Sequence, residues 1–384
     1  MNESPNGILS LLPRELLPEG PRRYWDFYNM RPGAGFYQKE FGFYALEKWQ
    51  REEGLDPKAN LDELFGYDPM GRVDLYGLGW CEAGFEPIFE DKVLEDRGDY
   101  EVVQDFAGRS VLCFKGRRNG FMPEYIDHPV KDMRTWEENC KWRMDPNSPK
   151  RQERMDEYLP KAAALQRQGY FVGQSLVGGY MYLRSLIGPE QLLYAFYDDP
   201  ELIHACMQQW LDLADNIIAR HQKQVTLDEI YIGEDICYNH GPLISPDMIR
   251  EFLFPYYQQL LQNARARQLD KARTLHFQVD TDGLCLPVIE VYRELGMDHM
   301  SPFEVASGCD VVKVGQDYPW LRISGGVDKR ILAQGPEAID RMIDSIFPIM
   351  QKRGGYLPTC DHGVPEEVSL QNYLHFRKRC LEFR

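Results

Sequence analysis

From about residue 151 the chain alternates amphipathic helical stretches with short apolar runs, and no other feature limits its fold as strongly. "PKRQERMDEYLPKAAALQRQG" reads as a helix with a glycine stop, and "YFVGQSLVGG" as the strand after it. "PEQLLYAFYDDPELIHACMQQWLDLADNIIARHQKQ" gives two helices split at Asp199-Pro200, then "LDEIYIGED" is a strand. The helix "SPDMIREFLFPYYQQLLQNARAR", the strand "ARTLHFQVDTDG", the helix "LCLPVIEVYRELG" and the strand "MDHMSPFEV" continue the series. "LRISGGVD" and "GGYLPTCDHG" close it, separated by the helix "PEAIDRMIDSIFPIMQKR". Strands that alternate with helices pair in parallel, which leaves an open doubly wound sheet or a closed (β/α)8 TIM barrel.

The polar residues decide between the two. Gly178, Gly179 and Tyr180 end one run, Glu234 and Asp235 the next, then Asp280 and Asp282, Glu304, Asp328, and finally Asp361 and His362. All sit at the C-terminal ends of their strands. In a barrel those ends converge on one mouth, where such folds build active sites, whereas an open sheet shares a crevice only between strands beside its switch point. The barrel is therefore the expected fold.

The first 150 residues have a different texture, rich in aromatics and turn residues, with "WDFYNMRPGAGFYQKEFGFY" near the start and "YEVVQDFAGRSVLCFKG" later, where "AGR" marks a β-hairpin. Residues 127–151 come next as a loop, a short helix and a polar, proline-bearing junction. We expect 1–150 to form an extension that packs on and covers the barrel mouth, and 151–384 to form the main part of the barrel, as one structural unit.

The net charge of -16, from 60 acidic against 44 basic residues, and the lack of a Lys/Arg-rich run disfavour nucleic acid and anionic membrane as partners. Nine scattered cysteines without a C-x-x-C pair read as a reducing compartment. The opening "MNESPNGILSLLPRELLPEG" has no signal-peptide pattern, and no apolar run reaches the roughly 18 residues a membrane span needs. The expected location is the cytoplasm.

Asp280 and Asp282 lie two apart and so face the same side of a strand, inward at a barrel mouth, although a D-x-D pair before glycine is also an ordinary turn or cap. Glu234 and Asp235 can equally cap the next element of the chain, and Cys360 reads as a small buried hydrophobe. Together Glu234, Asp280, Asp282 and His362 form an oxygen-rich, one-histidine set that suits a divalent metal without thiolate, or a metal-free acid/base site of crowded carboxylates.

These motifs resemble the uroporphyrinogen decarboxylase superfamily, which also contains corrinoid-dependent methyltransferases. The resemblance covers roughly residues 155 to 384 and rests on "GGYMYLRSLIG", "YDDPELIHACMQQW", "YIGEDICYNHGPLISPDMIREFLFPYYQQLL", "ISGGVDKRILAQGPEAI" and "GGYLPTCDHGVPEEVSLQNYLHF". It implies a (β/α)8 barrel of the uroporphyrinogen decarboxylase type with its site at the C-terminal mouth, and makes a homodimer plausible. Methyltransferases of this group hold zinc with a His-x-Cys pair and a later cysteine; Asp280 and Asp282 stand on the first two positions and His362 on the third. The decarboxylases bind substrate carboxylates through an N-terminal arginine segment, of which this chain keeps Arg31 but has Phe36 at the second arginine. His362 matches their closing histidine, and Tyr180 or Tyr182 their tyrosine.

A carboxylate-and-imidazole site is more electrophilic than a thiolate one and suits polarising an oxygen or nitrogen leaving group. The reading that results is a methyltransferase that demethylates a small O- or N-methylated donor and passes the methyl to a corrinoid carried by a separate protein. Asp280, Asp282, His362 and Glu234 would hold a divalent metal, zinc by analogy, and His362, Asp280, Tyr180 and Asp235 would be catalytic. Glu304 and Tyr182 would line the substrate pocket, with Trp25, Phe27, Tyr28 and Arg31 over it. Two alternatives stand beside it: a metal-free decarboxylase or lyase using His362 and an aspartate, and a non-catalytic binding barrel in which Asp280 and Asp282 turn away to cap helices.

Overall fold

The computed structural model describes residues 12–116 and 124–384; the first eleven residues, on which part of the leader reading fell, lie outside them. Thirteen strands are present among the described residues: β1 (Arg72–Asp74), β2 (Lys92–Arg97), β3 (Tyr100–Gln104), β4 (Ser110–Phe114), β5 (Glu124–Asp127), β6 (Phe171–Val177), β7 (Glu229–Gly233), β8 (Cys237–Tyr238), β9 (Gly241–Pro242), β10 (His276–Asp280), β11 (His299–Phe303), β12 (Arg322–Gly325) and β13 (Tyr356–Leu357). Seven of them form one sheet in the order β1-β6-β7-β10-β11-β12-β13, and every neighbouring pair is parallel. The βα alternation read from the sequence is the backbone of this curled, barrel-like α/β fold.

The sheet differs from the expected barrel in strand number. Instead of an eighth ladder strand, an extended run over residues 36–44 passes between the edge strands β13 and β1. Gln38 N donates to the Asp68 carboxylate at 2.6 Å and Asp68 N to Gln38 O at 2.9 Å on one side. On the other, Cys360 N donates to Glu40 Oε1 at 2.9 Å, and Phe43 bridges Val364. Side-chain carboxylates supply bonds that a regular strand would make with its backbone, so the run joins both edges without entering either ladder.

Each helix boundary has a local cause. Asp199 accepts from Leu202 N at 3.2 Å and starts the helix Pro200–His221 immediately after Pro189–Asp198, the split expected at Asp199-Pro200. The single helix expected over residues 245–267 is two, Pro246–Phe252 and Phe254–Arg267, because Pro255 cannot donate to the preceding turn. Likewise Pro287 confines "LCLPVIEVYRELG" to a 3-10 turn, Leu286–Val288, and a short helix, Ile289–Arg293.

The expected hairpin is β3–β4, whose turn is closed by Gly108 N to Asp105 O at 2.9 Å; it belongs to an antiparallel sheet in the order β2-β3-β4-β5. No helix among the described residues is long and apolar enough to cross a membrane.

The parallel strands are apolar outward and polar inward. Ile230, Ile232, Phe277, Val279, Met300 and Ile323 are buried under the surrounding helices. The alternate residues, among them Glu229, Tyr231, Gln278, Asp280, His299, Ser301 and Ser324, face the lumen. Barrels usually fill that space with layered Val, Ile and Leu. Here the polar lumen leaves a cavity of about 380 Å³, open toward the strands' C-terminal ends.

Candidate functional site

At the C-terminal ends of β10 and β11 and after β13, three side chains converge. One ligand atom each from Asp282, Glu304 and His362 lies within 4.8 Å of the other two. His362 Nδ1 is 3.6 Å from Asp282 Oδ1, and this carboxylate raises the imidazole's pKa above its ordinary value against the opposing effect of burial. Glu304 is oriented by Gly283 N, which donates to its Oε2 at 2.7 Å. Gly283 itself has φ +77°, and a Cβ there would lie 2.7 Å from the Tyr238 backbone, so the turn after Asp282 requires glycine. Phe41 and Tyr44, from the extended run, pack on the His362 ring at centroid distances of 5.5 and 6.1 Å.

Lys329, which the sequence analysis did not single out, approaches the same cluster. Its Nζ is 3.5 Å from Glu304 and 3.6 Å from the buried Asp361. Burial raises the Asp361 carboxyl, with Lys329 opposing the rise, and Asp361 Oδ2 accepts from Val305 N at 3.0 Å. The ammonium places a positive charge between Glu304 and Asp361 at the rear of the triad.

Asp280 stands one layer below. Its carboxylate accepts from Ser301 Oγ at 2.5 Å and lines the lumen cavity. Burial lifts its pKa to about 7, helped by Asp282 and Asp235 and opposed by Ser301. Beside it, Trp80 and Tyr231 stack with rings nearly parallel, 4° apart in tilt and 5.7 Å between centroids. Phe41 belongs to both places, since it lines the cavity and covers His362, so the triad sits at the rim of the cavity. Neither Asp280 nor Asp282 caps a helix, which removes the observation that a degenerate binding barrel would have shown.

Glu234 has a different task from the one expected. Its Oε1 accepts from Tyr180 N at 2.9 Å, and its Oε2 meets the Tyr257 hydroxyl at 2.5 Å, so the carboxyl closes the N-terminus of the helix Gly179–Ile187. A Cβ at Gly178 would lie 2.5 Å from Glu234, and the glycine permits this approach. Tyr180 is buried against the same cap. Asp235, at φ 43°, is ion-paired with Arg184, yet burial still raises its carboxyl. Tyr182 leaves the pocket altogether: it is fully buried on the outer side, its hydroxyl donating to Cys206 O at 3.1 Å.

The aromatic N-terminal residues close the opposite end. Trp25, Phe27 and Tyr28 lie on the helix Glu19–Tyr28, which packs against the first residues of the strands. Trp25 Nε1 donates to Gly169 O at 3.0 Å, Tyr28 stacks on Phe171 at 4.3 Å, and Phe27 packs on His299 at 5.2 Å. The Tyr28 hydroxyl donates to Glu229 and lies 3.0 Å from His299 Nδ1. Arg31 comes just after this helix, 4.0 Å from Asp26, and Phe36 is buried against Phe347 and Tyr356. The expected cover is thus a plug at the base. It sits there because the buried Glu229 and His299 and the half-buried Arg72 need partners, and Tyr28 and Tyr24 supply them. At the mouth, cover comes from Phe41, Tyr44 and Trp80, whose signal was only their place in aromatic, glycine-rich loops.

The sequence matches the family described as Uroporphyrinogen decarboxylase (URO-D) over residues 157–383. No curated protein matches it. Among solved structures, a methyltransferase from Methanosarcina mazei is similar with TM-score 0.58 and 13% identity, covering 95% of this chain and 99% of that one. Xylanase B from Clostridium stercorarium, with TM-score 0.31 and 10% identity over 57% of this chain and 75% of that one, lies too far off to carry an argument. The methyltransferase likeness shows a shared fold, and the family match, spanning more than half of the residues, shows the lineage: the chain belongs to the uroporphyrinogen decarboxylase (URO-D) family.

Proposed function

We propose that this chain is a methyltransferase that holds a divalent metal through Asp282, Glu304 and His362 and demethylates a small O- or N-methylated compound bound in the lumen. The observation that carries the reading is the convergence of those three side chains, within 4.8 Å of one another, at the rim of a cavity deep enough for a small molecule. Two carboxylates and one imidazole fit zinc or a harder divalent ion, and the nearby Cys360 is fully buried with its thiol pKa held well up, so thiolate ligation is not needed. A bound metal would supply Lewis acidity at the heteroatom that carries the methyl group.

The chain's own residues do the rest. Phe41 and Tyr44 shield His362 from water, Gly283 aims Glu304, and Asp280 with Ser301 sets the polar floor on which the donor rests. A reduced corrinoid carried by a separate protein would accept the methyl group at the open mouth, and the heteroatom would keep the bonding electron pair and take up a proton as product departs. A cytoplasmic location, expected from the composition, and a homodimer, expected from the family, accompany this reading.

A metal-free carboxy-lyase using His362 and Asp280 is the second reading, and the Lys329 ammonium beside Glu304 favours it, because it already offers a positive charge there. Elemental analysis separates the two. About one divalent ion per chain, lost in Asp282→Ala, Glu304→Ala and His362→Ala and kept in Glu234→Gln, is the expected result. Protein that takes up no metal even after reconstitution overturns the methyl-transfer proposal.

A further inference from the structure

The lumen cavity contains an acid with no basic partner. Asp280 accepts a hydrogen bond from Ser301 Oγ and has the Tyr231 hydroxyl beside it, and no lysine or arginine among the described residues forms an ion pair with it. The nearest basic group of the cavity wall, Arg72, is already committed to Asp74, to Glu229 at 2.8 Å and to the Tyr24 hydroxyl at 2.8 Å. Glu40, on the same wall, spends its oxygens on Cys360 N and the Tyr373 hydroxyl. Asp280 is therefore the wall's acid without a basic partner.

Two further features point the same way. The Tyr231 residue lines the cavity with 8% of its surface exposed, and its hydroxyl lies against the Asp280 carboxyl. The Tyr231 ring is stacked by Trp80, half of whose surface (51%) is exposed, and Phe41 stands on the same wall. Aromatic faces beside an unpaired carboxylate attract an organic cation, through the negative ring face and the charge together.

We propose that the lumen cavity recognises a protonated alkylamine, its N–H groups meeting Asp280 and Tyr231 Oη and its alkyl substituents lying against Trp80 and Phe41. The methyl donor is thereby placed in the class of small methylated compounds that carry a cationic nitrogen, with the transferable methyl at the rim and the ammonium below it. The inference rests on the methyl-transfer reading for what happens to the molecule, and on the cavity alone for its binding.

The test uses the full chain with dimethylaminoethanol, protonated at neutral pH, and its uncharged isostere isoamyl alcohol as probes, with binding measured by calorimetry and Trp fluorescence. The amine should bind at least tenfold more tightly than the alcohol, and its binding should persist in chelator, so that metal loss and cavity failure read out separately. Asp280→Asn should remove that preference. Tyr231→Phe, which deletes the hydroxyl beside Asp280 and keeps the ring stacked on Trp80, should weaken the amine severalfold and leave the alcohol unchanged. Equal affinity for the two probes, or an unchanged amine affinity in both variants, overturns the proposal whatever the metal analysis gives.

Discussion

Replacing Glu234 by Gln separates a helix-capping carboxyl from a metal ligand, and the size of the effect comes from the burial. The group is enclosed, burial being the largest effect on it, and its pKa is raised from 4.5 to about 7 against hydrogen bonds from Tyr257 and Tyr180 N. A carboxyl whose folded pKa exceeds its unfolded value favours the fold most at pH below the unfolded value. That advantage fades as pH rises through the folded one. A rise of that size is worth about 3 kcal/mol in total, most of it lost between about pH 5 and 8. Glutamine mimics the protonated acid, with its oxygen accepting from Tyr180 N and its amide donating to Tyr257 Oη, and it does not ionise. Glu234→Gln should match the parent near pH 5 and gain on it steadily toward pH 8. With an unfolding entropy near 2.1 cal/mol/K per residue, the difference amounts to a Tm gap of roughly 3 °C. Paired calorimetric scans on metal-stripped protein across that range measure it. Parallel Tm curves for the two proteins would refute the burial argument, and loss of metal from the variant would return Glu234 to the ligand set.

Three other perturbations probe separate parts of the molecule. Trp25→Ala removes the packing of the base plug on Phe171 and Gly169 and should cost about 3–5 kcal/mol in urea unfolding, while metal content and amine affinity of the folded protein stay unchanged. Gly283→Ala forces a side chain into the Tyr238 backbone and misaims Glu304, so metal affinity should fall by about 10–100-fold with the fold retained by circular dichroism. Lys329→Met withdraws a positive charge 3.5 Å from Glu304 and should tighten metal binding by roughly tenfold in a competition titration; weaker binding would make the lysine an organiser of the triad.

Much of the architecture is legible because it rests on local signals. Asp199-Pro200 splits two helices, "AGR" turns a hairpin, and the strand-end acids mark the end where Asp282 and His362 meet. The hidden features depend on partners distant in sequence. "WDFY" reads equally as a lid or a plug, and only the buried Glu229 and His299, about 200 and 270 residues further on, fix it at the base. Glu234 comes after a strand as Asp280 ends one, but the preceding Gly178-Gly179 brings a helix start close enough for Glu234 to cap it. The extended run that replaces an eighth strand has no alternation of its own, since Asp68 and Glu40 make its bonds.

The inward polarity of the strands ties these features together. A lumen built of Glu229, Gln278, His299, Ser301 and Ser324 cannot be packed dry as an apolar one can, because each group needs a partner. At the base the partners come from the chain: Tyr28 satisfies Glu229 and His299, and Ser324 takes the other nitrogen of that histidine at 2.7 Å. Toward the mouth the chain supplies less, and Asp280 has only the hydroxyls of Ser301 and Tyr231 and no basic partner among the described residues. Satisfaction thus runs out along the barrel axis in the direction of the Asp282, Glu304 and His362 cluster. A fold that needed only stability would have completed the upper layer as it did the lower, and the incomplete layer is where a bound molecule completes it.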